Sequence, residues 1–152
     1  MKKIFYSLSL LIAKFILIAM IVFVPFAAYS QCKGFAKKQI PKLAPFIHNG
    51  QVNSSVLLSG DNAELTLTFY SGQTYRIYVS SQEQIGDVYF VMKDANENNV
   101  LFSSKDQGNL DYWDFTVEST RQITILVMVP EEKSETGIVA SGCVSILVGF
   151  KQ

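Results

Sequence analysis

The sequence predicts an all-β protein, an antiparallel β-sandwich of about seven or eight strands behind a short N-terminal helical or coiled arm. Two observations carry that reading. From Gln51 onward apolar residues alternate with polar ones, and turn signals recur roughly every 8–12 residues. A third observation, a leader followed by a single pair of cysteines, places the domain outside the reducing cytoplasm.

Residues 1–30 have the three parts of a secretory signal peptide. Lys2 and Lys3 open it, and an apolar run over residues 15–26 follows Lys14. Small residues stand at Ala28 and Ser30, the −3 and −1 positions of a cut before Gln31. Lys14 splits the apolar stretch, and the run behind it falls short of the ~20 residues of a spanning helix, which disfavours an uncleaved anchor. Gln31 stands where a lipobox requires a small residue, which disfavours acylation of Cys32. Export from a Gram-negative cytoplasm to the periplasm or beyond is expected, with no membrane insertion after cleavage.

Removing residues 1–30 from 152 leaves 122, enough for one domain with a core and too few for two. Removing Lys2, Lys3 and Lys14 leaves ten basic residues against thirteen acidic, a net charge of −3. Lys33, Lys37, Lys38 and Lys42 crowd the start of the mature chain, so the rest is acidic and nucleic acid is excluded as a partner. Cys32 and Cys143, the two cysteines, are expected to form a disulfide. A bridge closing so long a loop destabilises the unfolded chain by about 4–5 kcal/mol in the chain-entropy model.

The expected domain plan is a signal peptide over 1–30, an arm over 31–49 and the sandwich over 50–152. Pro41 and Pro45 forbid a long regular helix in the arm. Leu65, Leu67 and Phe69 alternate with polar neighbours, and Ser71-Gly72-Gln73 turns the chain into Tyr75, Ile77 and Val79. That pair reads as a hairpin. Val88, Phe90 and Met92 form the next strand, and residues 100–102 a short one. Trp113, Phe115 and Val117 face inward on another. Residues 123–129 and 144–150, rich in β-branched side chains, are the two strongest strands.

Both strong strands are apolar on both faces, which a two-layer sandwich does not by itself require. Cys143 shares a face with Leu147, and Leu126 and Met128 share the second face of the preceding strand. If Cys143 bonds Cys32, the arm lies where such a face needs cover. Phe35, Ile40, Leu43 and Phe46 are then expected to cap it.

From Ser71 onward the order of features resembles the bacterial pre-peptidase C-terminal domain. The segments that carry the resemblance are residues 72–79, 88–94 and 98–102, a strand with Trp113 and Phe115, and residues 123–129 and 144–148. The resemblance implies a secreted, non-catalytic sandwich of a kind found attached to proteases and other hydrolases. Some members bind matrix or polysaccharide and some bind calcium. This chain departs from the pattern in carrying no enzyme, and in its arm and its cysteine pair.

No catalytic signature appears. His48 is the only histidine, both cysteines belong to the disulfide, and no nucleophile elbow, zinc-protease or phosphate-loop motif is present. A carboxylate pair for glycoside hydrolysis could be drawn from Asp87, Asp106, Asp111, Asp114 and Glu118. Asp94-x-Asn96-x-Asn98 offers alternating oxygens but lacks the glycine and distal glutamate of a calcium loop, so it reads as a turn. No metal and no cofactor is expected. Tyr70, Tyr78, Tyr89 and Tyr112 all fall opposite their strands' core residues and are the candidate ligand-binding residues. Cross-strand packing or burial beneath the arm is the competing role for these rings.

The expected function is a non-catalytic binding or accessory module of the envelope or extracellular space, with a protein or polysaccharide ligand. A structural subunit of a larger surface or secretion assembly is the alternative, and a small secreted hydrolase the third. The leader makes a direct prediction: the exported protein has the mass of residues 31–152, with Gln31 free or cyclised, by intact-mass spectrometry. Lipid on Cys32 or retention of residues 1–30 would contradict it.

Overall fold

The computed structural model describes residues 14, 26–131, 137 and 139–151. The leader's apolar run and its basic start lie largely outside these residues. The chain divides into two compact units, residues 1–31 and Cys32–Gln152, and the second is the fold. Helix α1 (Phe26–Gln39) runs on into a 3-10 turn (Ile40–Leu43) carrying Pro41. No helix among the described residues is long and apolar enough to cross a membrane.

Among the described residues nine strands follow: β1 (Ile47–His48), β2 (Asn53–Leu58), β3 (Asn62–Phe69), β4 (Thr74–Ser81), β5 (Tyr89–Asp94), β6 (Val100–Ser103), β7 (Tyr112–Thr116), β8 (Arg121–Met128) and β9 (Ser141–Lys151). They form two antiparallel sheets. In the first, β9 pairs with β4, and β4 with β7; β1 and β2 pair with different lengths of β9's other edge. The second has the order β3-β8-β5-β6. The β-sandwich is as predicted, with β1 and β2 in addition to the strands read from the sequence.

The core lies between the sheets, because each strand buries alternate side chains. Ile77 and Val79 on β4 and Val144, Ile146 and Val148 on β9 meet Phe90, Met92, Ile123, Ile125 and Val127 from the second sheet. The expected hairpin between residues 65–69 and 75–79 is not formed. β3 pairs with β8, and β4 with β7 and β9, so the turn around Gly72 carries the chain from one sheet to the other. The apolar faces of β3 and β4 therefore oppose one another across the core. Phe69 and Tyr75 meet edge to face at 4.9 Å there. Gly72 adopts φ 77°, which a side chain would strain, and its N–H donates to Val117 O.

The arm covers the outer face of the first sheet. Cys32 bonds Cys143, and Leu43 packs on Tyr78 and Leu147 with Ile40 beside them. Phe46 is buried, Phe35 is half-buried, and Ala36, which the sequence reading did not single out, is fully buried. Ser145, also beneath the arm, is satisfied by Ser80 at 2.8 Å. This cover explains why β9 is apolar on both faces. The same account does not extend to β8. Leu126 and Met128 lie on the outer face of the second sheet, which the arm does not reach, and stay half-buried between cross-strand neighbours. Val91 and Glu64 flank Leu126; Tyr89 and Asn62 flank Met128.

Gly149 sets how closely the arm approaches. A Cβ placed there would stand 2.7 Å from the Phe46 Cβ. Replacing Cys143 with Ser is expected to lower stability by about 2–5 kcal/mol, as for native bridges of small secreted domains. Gly149→Ala is expected to cost about 1–3 kcal/mol through overpacking. Urea titrations of the oxidised protein and the two variants measure both.

Candidate functional site

On the outer face of the first sheet one side chain gathers several contacts. Arg76 points outward from β4 opposite Asp114 on β7, and the two make a bidentate pair, Nε–Oδ1 and Nη2–Oδ2 at 2.7 Å each. Nη1 donates to the Ala44 carbonyl of the arm at 2.9 Å. The guanidinium lies 4.6 Å from the Phe46 ring centre and 4.5 Å from that of Tyr112, and the paired Asp114 carboxylate raises its pKa. Lys151 reaches the Phe46 ring, and Lys42 the Tyr78 ring. Charge-assisted, planar contacts of this kind fix orientation as well as adding energy. They bind the arm to β4 and β7.

The four candidate tyrosines are not brought together. Tyr78 is only 3% exposed beneath Leu43, so it packs the arm rather than meeting solvent. Tyr112, its cross-strand partner, is 40% exposed on the same face. Tyr89 is half-buried on the outer face of the second sheet with Lys105 over its ring. Tyr70, 61% exposed, follows the end of β3. No row of rings spans one face.

Among the remaining sequence candidates, Asp114, His48 and Asp94 have local partners. The Asp114 carboxylate is engaged by Arg76. His48 lies on β1 with Nε2 3.0 Å from the Gln51 carbonyl. Among the described residues no three His, Cys, Asp or Glu side chains gather as a metal site would require. Asp94 Oδ1 accepts the N–H groups of Asn96 and Glu97 at 2.9 and 3.1 Å, and Asn98 takes φ 57°. This is a turn built by its aspartate. The Glu97 N–H, then the Asn96 N–H, holds the Asp94 carboxyl below its ordinary pKa; Arg121, 4.0 Å from Oδ2, contributes less.

A groove of about 350 Å³ opens where β7, the edge of the first sheet, meets β6, the edge of the second. Leu101, Trp113, Phe115, Glu118 and Arg121 line it. Trp113 stacks on Phe102 at 4.2 Å, leaving the indole half-buried at the lip. Of the nine exposed large apolar residues among those described, four (Val100, Leu101, Leu110 and Tyr112) belong to β6, β7 or their connection. Sequence reasoning singled out only Tyr112 of these. Leu101 carried a signal: within Val100-Leu101-Phe102 a strand cannot turn three consecutive side chains inward. Nothing in the sequence pointed to Arg121.

No family model matches the chain, and no curated protein matches it. Among solved structures the chain is similar to PliG of Aeromonas hydrophila, a periplasmic lysozyme inhibitor of g-type lysozyme. The TM-score is 0.49, with 12% identity over 70% of this chain and 89% of that one. PliG of Salmonella Typhimurium gives 0.42, with 13% identity over 66% and 86%. A mutant of the Escherichia coli protein gives 0.40, with 12% identity over 71% and 91%. Likeness at this level assigns no partner to the present chain.

The Asp94 turn makes a prediction with a definite sign. A carboxyl whose pKa is depressed by folding stabilises the fold above its unfolded pKa and ceases to do so as pH falls through the folded value. The stability advantage of the native protein over Asp94→Ala is therefore full at neutral pH and shrinks as pH falls below the ordinary value of 3.8. Urea midpoints across the acid range read it. Melting curves in calcium and in chelator are expected to coincide, because the turn's own amides occupy Oδ1.

Proposed function

We propose that the mature domain is an exported, non-catalytic binding protein that recognises a protein partner through the β6–β7 groove. The observation that carries this is the groove itself, lined by the exposed Leu101 and by Trp113 and Phe115, which are only half-buried. Contiguous exposed apolar surface on a soluble domain marks interaction sites. Trp and Arg, two of the residue types that dominate binding hot spots, both line the groove, as Trp113 and Arg121. Glu118 and Arg121 add a polar rim of both signs.

A protein fits this surface better than a polysaccharide. Sugar platforms present several rings along one face, and the three exposed or half-buried tyrosines stand on different parts of the two sheets. The resemblance to non-catalytic pre-peptidase C-terminal domains agrees with a binding role. The leader supports exported location.

Placing a photo-crosslinking residue at Leu101 and, as control, at Tyr89 tests the assignment in the native envelope. Protein adducts are expected at position 101 and not at position 89. With the captured partner purified, Leu101→Ala is expected to weaken binding by more than about 1 kcal/mol. The same change should alter stability by no more than about 0.5 kcal/mol, as is usual for surface positions. Trp113→Ala is expected to impair both, through lost stacking and a new void. Adducts to glycan, or none at position 101, would remove the proposal.

A further inference from the structure

The opposite seam carries a second feature, independent of the β6–β7 groove. β3 pairs with β8 through eight unbroken registers, from Asn62 with Met128 to Phe69 with Arg121, and its other edge has no strand among the described residues. Free edges invite pairing, and proteins blunt them with shortness, bulges, lysine or proline. β6 has four residues beside a register shift, and β7 has five. β3 has eight residues, no shift, no lysine and no proline.

Two grooves, of about 330 and 360 Å³, open between β3 and the first sheet. Ala63 and Leu65 line one, with Leu57 and Ile146 across from them. Leu67 and Phe69 line the other, facing Val148 and Phe150. Their midpoints along β3 are four residues apart, about 13 Å at strand rise. A strand added to this edge would direct alternate side chains inward, so its residues i and i+4 would enter the two grooves.

Polar features favour an occupant of definite chemistry. Asn53 lines the first groove, and its side-chain nitrogen is buried without an acceptor among the described residues. Glu64, between Ala63 and Leu65 on β3, projects from the outer face next to Leu126, within reach of a cross-strand neighbour, and neither groove is lined by any lysine or arginine. We propose that β3 accepts an extended segment of a partner protein, with apolar side chains at i and i+4 and a lysine or arginine beside Glu64. Main-chain hydrogen bonds supply the affinity, and the grooves and Glu64 supply the selection.

Two short peptides test this on the mature protein, each alternating valine with threonine, one flanked by lysines and the other by glutamates. Amide hydrogen exchange is the readout. The lysine peptide is expected to slow exchange of alternate β3 amides, and the glutamate peptide to bind about fivefold more weakly. Glu64→Lys, on an exposed side chain, is expected to reverse that preference while leaving the fold intact. Ala63→Trp, which fills one groove, is expected to abolish binding of both. Equal binding of the two peptides, protection confined to other strands, or none at millimolar peptide would overturn the proposal. Protection of β3 that grows with protein concentration alone would assign the edge to a second copy instead.

Discussion

Burial of β9 on both faces is the constraint on which the rest of the molecule depends. One face gives Val144, Ile146 and Val148 to the core between the sheets. The other gives Cys143, Ser145, Leu147 and Gly149 to the arm. A strand in that position must be apolar throughout, and every element around it must be shaped to cover it. The arm does so with a covalent bond at one end, an apolar cluster in the middle and Phe46 against Gly149 at the other.

Arg76 turns that cover into a fixed surface. An exposed ion pair alone contributes little, with a median of about 0–1 kcal/mol. Here the guanidinium also bonds an arm carbonyl and lies against two rings, so several weak contacts share a single planar group. Because Asp114 sits on β7, the same contact that fastens the arm also steadies the strand bordering the β6–β7 groove. Support of that edge and cover of β9 are thus one arrangement.

Much of this was legible in the sequence. Period-two alternation identified the strands from β3 onward, and the parity of Cys143 and Leu147 indicated a face needing cover. Two apolar faces on residues 123–129 looked the same but had a different cause. Parity tells which residues share a face and not which sheet the strand joins, so Leu126 and Met128 were assigned to the arm although β8 lies in the other layer. The same blindness made a hairpin of β3 and β4. β1 is too short to show a period, and the polar start of β2, Asn53-Ser54-Ser55, hides its pairing with β9. The tyrosines show the remaining limit. Outward parity was correct for Tyr78, but exposure depends on what lies above the sheet.

The sequence distance between Cys32 and Cys143, 111 residues, also orders events in time. A chain made from its amino end presents Cys32, Leu43 and Phe46 well before the strand that receives them. β1 and β2 hydrogen bond to no strand other than β9, and β4 has only β7 until β9 arrives. The earliest segments of the mature chain therefore wait, unpaired and with apolar side chains uncovered, for the last strand to emerge. Such dominance by distant contacts is the topology of slow folding. It leaves a thiol and a hydrophobic segment uncovered for as long as the last strand takes to follow.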